Sequence, residues 1–178
     1  EQMDKAEWTA YRDRIAQIAK MGTEDYGLTV GIHAHAAGFM DFEPELERLL
    51  DEVDENILGI CFDTGHHSYA GFDPVAFIKK HMSRINYMHF KDIDPKVKAD
   101  VIAKRTGFYD ACGQGIFCNL GDGDVDFPAV RQLLLDAGFD GWCTVEQDCD
   151  PTGDTSPIDY ARLNRAYLQS IGFEGQLL

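Results

Sequence analysis

Four side chains of metal-ligand type, His33, Asp63, His89 and Glu146, each stand directly after a short apolar run. The runs are residues 28–32, 57–62, 85–88 and 141–145. Short apolar, β-branched runs that stop abruptly in polar or small residues read as buried parallel strands. Carboxyl ends of neighbouring parallel strands lie together, so two imidazoles and two carboxylates there form a mixed nitrogen and oxygen set suited to one divalent cation such as Mn, Co, Fe or Zn. A lone His or Asp is more often a hydrogen-bonded strand-end residue than a ligand. Charged and imidazole groups are costly to bury unpaired, however, and one at every strand end argues that they satisfy one another through a common ion.

Further candidates surround these four. His35 lies two residues after His33, on the same side of an extended chain, and His66 follows Asp63 by three in DTGHH; either is placed to move a proton. Lys91 follows His89 in HFKD, where an ammonium near a carbonyl stabilises an enolate or donates a proton. A plain surface pair between Lys91 and Asp92 is the competing reading. His67 and His81 read as structural, His81 near a helix C-terminus where the dipole favours an imidazole. The five cysteines, at 61, 112, 118, 143 and 149, contain no CxxC pair and read as buried small hydrophobes or bystander thiols.

The elements that must position these residues follow from periodicity. Trp8, Tyr11, Ile15, Ile18 and Met21 recur at helical spacing with Gly22 as a stop, and Leu46, Leu49, Leu50 and Val53 do so behind Pro44. Asp73-Pro74 starts a helix that runs to about His81. Val130 to Ala137 closed by Gly138, and Tyr160 to Ile171 closed by Gly172, are two more. Residues 94–123 mix basic residues with glycines and read as a long irregular active-site loop. No GxGxxG or Walker motif follows a strand. The class is α/β: one domain over residues 1–178, an N-terminal helix and then four strand-helix units, half of the eight that a closed barrel of about 250 residues needs. The expected architecture is the C-terminal half of a (β/α)8 TIM barrel. Two open sheet edges predict aggregation, a homo-oligomer, or a piece of a longer chain, and Glu1 in place of an initiator methionine points to the last.

Bulk composition narrows the partner. Sixteen Lys and Arg against 31 Asp and Glu in 178 residues give a net charge of −15, which argues against a nucleic-acid or anionic-membrane surface and for a small-molecule partner. Eleven Phe and seven Tyr in a 44% hydrophobic chain describe a packed globule. The N-terminus lacks the order of a signal peptide, no window of eighteen residues is apolar, and unpaired thiols fit a reducing cytosol, so a soluble cytoplasmic protein is expected.

The pieces FDTGHHSYAGFDP, YMHFKDI, GIFCNLGDGDVDFPAV and GWCTVEQD together resemble the xylose isomerase-like TIM-barrel superfamily of sugar isomerases and epimerases, and most closely its inosose dehydratase branch, over about residues 25–172. The resemblance implies one divalent metal, Mn or Co foremost with Zn, Fe or Mg as others, held by Asp63, His89 and Glu146. In His33-Ala34-His35 an imidazole replaces the first carboxylate of the family's set, leaving the site more positive by one charge and a stronger Lewis acid. The implied activity is that of a lyase of myo-inositol catabolism, removing water from 2-keto-myo-inositol to give a trihydroxycyclohexane-dione. His66, His35 and Glu146 are its acid or base candidates, and Lys91 supports the enolate or the leaving group. An isomerase or epimerase working through an enediolate is the competing enzyme. A non-catalytic sugar-binding barrel fits the retained ligand types less well, and a DNA endonuclease fits the acidic chain less well again.

Overall fold

The computed structural model describes residues 3–149 and 156–173. Helix α1, Lys5–Lys20, starts at Asp4, whose carboxylate accepts the Ala6 and Glu7 amides while Glu7 reaches back to the Asp4 amide. Gly22 does not close it. The chain continues through a π-helical turn, Met21–Asp25, and reverses at Gly27 with φ 63°. A Cβ at Gly22 would fall 2.7 Å from Val30 Cγ2, so this glycine serves close packing.

Strand β1, Gly31–Ile32, is followed by α2, Glu43–Glu52, then β2, Gly59–Asp63, with the short α3, Thr64–Tyr69, and α4, Pro74–His81. Next come β3, Ile85–Phe90, β4, Asp92–Ile93, α5, Pro95–Lys104, α6, Phe108–Gly113, and β5, Phe117–Cys118. Helix α7, Phe127–Ala137, β6, Trp142–Val145, and α8, Pro157–Ser170, complete the chain. Strands β1, β2, β3 and β6 form one sheet in that order, every pair parallel. This is the expected half-barrel arrangement, with β1 and β6 as its edges.

The strand boundaries differ from expectation: β2 begins at Gly59 and takes in Asp63, β6 begins at Trp142, and β1 and β3 change most. β1 keeps only two of the residues expected in it, because as an edge it pairs with β2 alone. His89 lies inside β3, opposite Asp63 in register, since β3 extends to Phe90 to pair with Val145.

Apolar stripes from Leu46, Leu49 and Leu50 of α2, Phe77 and Ile78 of α4, and Phe127, Val130 and Leu134 of α7 bury Ile60, Phe62, Met88 and Phe90 of the sheet. Phe62 and Phe77 stack at 4.8 Å. Each such side chain contributes about 2 kcal/mol by leaving water.

Residues 94–123, expected as irregular, hold α5, α6 and β5 around a small core of Ile93, Val101, Ala111, Ile116 and Phe117. The start of α5 was legible in Asp94-Pro95, where the Asp94 carboxylate accepts the Lys96 and Val97 amides. β4 and β5 pair antiparallel and clip this cap to the sheet. Asp92 anchors the return: its carboxylate accepts amides from Ile93, Gly121, Gly123 and Val125. No helix among the described residues is long and apolar enough to cross a membrane.

Candidate metal centre at the strand ends

Asp63 ends β2 and caps α3 at once. Its Oδ1 accepts the His66 amide at 2.8 Å, while its buried Oδ2 has no hydrogen-bond partner. Burial would raise this carboxyl, but His89, Lys91 and His66 outweigh it and hold Asp63 down at about 2. His89 Nδ1 stands 3.7 Å from that oxygen and 3.2 Å from Glu146 Oε1, and it too is buried without an aligned partner. Glu146 follows β6 directly, its amide donating to the Phe90 carbonyl at 3.0 Å. The ligating atoms of Asp63, His89 and Glu146 lie within 4.8 Å of one another. A buried oxygen and a buried nitrogen that face each other without a hydrogen bond, beside a second carboxylate, fit a divalent cation whose remaining positions stay open.

Lys91 is 1% exposed and faces this cluster, contrary to a surface pair with Asp92. Alternation along the extended chain sends the two side chains opposite ways, Lys91 to the site and Asp92 to the clip. Its Nζ lies 2.9 Å from Asp148, 3.0 Å from Glu146 and 3.5 Å from Asp63. Burial alone would lower its pKa, but these three carboxylates more than offset that and keep it cationic. Thr64 fixes the backbone beneath it, giving its hydroxyl to the Lys91 carbonyl and accepting the Lys91 amide. Gly65 makes room for the stem, since a Cβ there would fall 2.5 Å from Lys91 Cγ.

His66 Nε2 lies 3.0 Å from the Lys91 ammonium, which has only protons to offer, so Nε2 accepts and Nδ1 carries the ring proton. Burial and that neighbouring charge push His66 down to about 3, and its buried Nδ1–H has no acceptor. His35 is exposed, its ring 3.8 Å from that of His66, and its Nδ1–H donates to the Ala36 carbonyl, which leaves Nε2 free.

His33 donates Nδ1–H to the Cys61 carbonyl at 3.3 Å and packs 4.7 Å from the His89 ring. Its ligating atom groups with Cys61 and His89, and with His35 and His66, but not with Asp63 or Glu146. Three of the four strand-end residues therefore meet at one point, with His33 beside them. His67 and His81 are structural, donating to Glu43 at 3.1 Å and Glu47 at 2.8 Å.

Sequence reasoning missed four contributors. Asp148 repeats Glu146 at a spacing of two, the same signal that singled out His35 after His33. Cys61 presents its Sγ 3.5 Å from His89 Nε2, with burial foremost holding the thiol up at about 11. Phe108 and Phe117 wall the site from the cap, 5.7 Å and 5.4 Å from His66. A cavity of about 630 Å³, lined by Trp142, Val145, Asn164, Leu168 and Phe173, lies between β6 and α8 and includes none of the donor set.

A parallel strand-helix array with acid and imidazole donors at its carboxyl ends defines part of a barrel with a metal-type centre. The family described as Xylose isomerase-like TIM barrel matches residues 2–171, and the chain belongs to it. An inosose dehydratase from Clostridium botulinum (strain Alaska E43 / Type E3) is 30% identical over 166 residues, 93% of this chain and 55% of that protein. The rhizopine catabolism protein MocC of Rhizobium meliloti is 36% identical over 166 residues, 91% of this chain and 49% of that protein. The chain spans about half the length of the curated relatives it matches. Among solved structures, the probable 3-DHS dehydratase AsbF of Bacillus anthracis superposes with a TM-score of 0.73 at 21% identity, over 97% of this chain and 59% of that one.

Proposed function

We propose that the chain is the metal-holding half of a hydro-lyase acting on a cyclic keto-polyol, 2-keto-myo-inositol, which it converts to a trihydroxycyclohexane-dione. The observation that carries this reading is that the buried Asp63 Oδ2 and the buried His89 Nδ1 face each other beside Glu146, neither making a hydrogen bond. Asp63, His89 and Glu146 would hold the ion, with His33 against the His89 ring. A bound Mn or Co ion supplies Lewis acidity at the ketone and its neighbouring hydroxyl, lowering the pKa of the α proton. The names of the inosose dehydratase relatives support the substrate.

Glu146 is the base. Its side chain is one-third exposed, reachable by substrate, and oriented between His89 and Lys91. The α-carbon proton passes to its carboxylate. Lys91, a fixed cation in a dry setting, stabilises the enolate oxygen. His66 is a donor rather than a base, because its accepting nitrogen is already engaged by the Lys91 ammonium's hydrogen bond. The β-hydroxyl departs as water with a proton relayed through His35, the imidazole open to solvent. Phe108 and Phe117 exclude bulk water from the enolate.

The test is product mass. Incubation with 2-keto-myo-inositol and Mn should give a product lighter by one water, and Asp63→Asn should lower that rate at least about a hundredfold with the fold retained. A product of unchanged mass would make the enzyme an isomerase instead, and undiminished turnover in the variant would remove the metal role.

A further inference from the structure

The His89 ring presents its second nitrogen to a different donor set. Nδ1 faces Asp63 and Glu146, while Nε2 lies 3.5 Å from Cys61 Sγ. The ligating atoms of His33, Cys61 and His89 fall within 4.8 Å of one another, a triad of two imidazoles and one thiol in which Cys61 contributes the soft donor. His33 already gives its Nδ1–H to a backbone carbonyl, the arrangement that fixes the tautomer and ring of a ligating histidine and leaves the lone pair on Nε2.

The alternative three-histidine group, His33, His35 and His66, does not match this. The Lys91 ammonium donates to His66 Nε2, which engages that lone pair and leaves the ring proton on Nδ1, so neither His66 nitrogen is free to ligate. Cys61, by contrast, is half-buried between two histidines, with no disulfide to use its sulfur.

We infer that His33, Cys61 and His89 form a second metal position, selective for thiophilic divalent ions such as Cd or Zn, alternative to the carboxylate position and sharing His89 with it. The sharing is through opposite ring nitrogens, and a neutral imidazole has one lone pair. A ring ligating through Nδ1 carries its proton at Nε2, toward Cys61; a ring ligating through Nε2 carries it at Nδ1, toward Glu146. The two loadings therefore exclude each other. Soft ions choose the thiolate side and oxygen-seeking Mn the carboxylate side. Binding on the soft side displaces the Cys61 thiol proton to solvent and forms the sulfur–metal bond. The consequence is inhibition: a thiophilic ion takes His89 away from the position that the proposed chemistry needs. This inference uses that reading for its consequence, but the site itself is read without activity.

The experiment is a titration of the protein with Cd, following the thiolate-to-metal charge-transfer absorbance in the ultraviolet. Wild type and Asp63→Asn should both show the band, saturating at one equivalent. Cys61→Ser should lose it, and His33→Gln should bind at least about tenfold more weakly. Unchanged far-ultraviolet circular dichroism in each variant separates ligand loss from unfolding. A band that persists in Cys61→Ser would assign the ion to other thiols and overturn the proposal, as would no band in wild type. In parallel, the electron paramagnetic resonance signal of free Mn reports the carboxylate position. Cd should release bound Mn from wild type but not from Cys61→Ser; joint retention of both ions in wild type would overturn the exclusion. A Cd band in a protein that never binds Mn would leave the soft position standing and remove the carboxylate centre alone.

Discussion

Asp63 shows how much one residue is asked to do: it ends β2, caps α3 through Oδ1 and offers Oδ2 to the site. Asp92, two residues beyond β3, does the opposite work. It gathers four backbone amides and faces no solvent. Asp92→Ala should therefore cost about 3 kcal/mol or more in urea unfolding, because four amides, those of Ile93 and Val125 buried, lose a charge-assisted acceptor together, while Asp92→Asn, which keeps one acceptor oxygen, should cost less. The donor set was legible because ligand-type residues immediately follow apolar runs, and strand ends are where barrels build sites. The convergence of all four was less so. His33 follows a two-residue edge strand, and its ring settles against His89 and Cys61 rather than against the carboxylates. Lys91 and Asp92 were ambiguous for a simple reason: sequence adjacency suggests a pair, whereas an extended backbone separates them.

At the scale of elements, α3 is the piece that sequence periodicity could not find, since six residues make too short a helix to show a stripe. It carries His66 over the site, and Gly65 within it admits the Lys91 stem. Gly65→Ala should displace Lys91, so we expect turnover to fall at least about tenfold with helix content kept, read by kinetics and circular dichroism side by side. The same helix makes folding pH-sensitive. Burial foremost pushes His67 down to about 4 from the ordinary 6.5. Its folded pKa lies below the unfolded one, so its contribution is intact above 6.5 and is lost as pH falls toward 4, while the unfolded chain protonates first. The loss amounts to about 3 kcal/mol at the low end. His67→Gln, which keeps a donor to Glu43, should flatten that limb in thermal melts taken between those pH values; an unchanged slope would assign it elsewhere. The folded cap at 94–123 was missed because its glycines and charges mimic a loop, although Asp94-Pro95 marked its first helix.

For the whole molecule, the strand-helix alternation of the four-stranded sheet was legible, because short buried runs and 3.6-residue stripes are unlike each other and the parallel order follows from their succession. What the order leaves is a sheet with two edges. Among the described residues, β1 and β6 each pair on one side only, and Trp142 on β6 is 62% exposed. Open apolar edges drive association. Light scattering of the isolated chain should show apparent mass rising with concentration, and Trp142→Lys should reduce the rise; a concentration-independent monomer would mean that the edges are otherwise protected.

The central claim is that Asp63, His89 and Glu146 converge on one divalent ion, and equilibrium dialysis against Mn with metal quantified per protein tests it most directly. Wild type should retain about one Mn per chain, and Asp63→Asn and His89→Gln, each still folded, should retain almost none. Equal Mn in wild type and both variants, or none in wild type, would contradict the account.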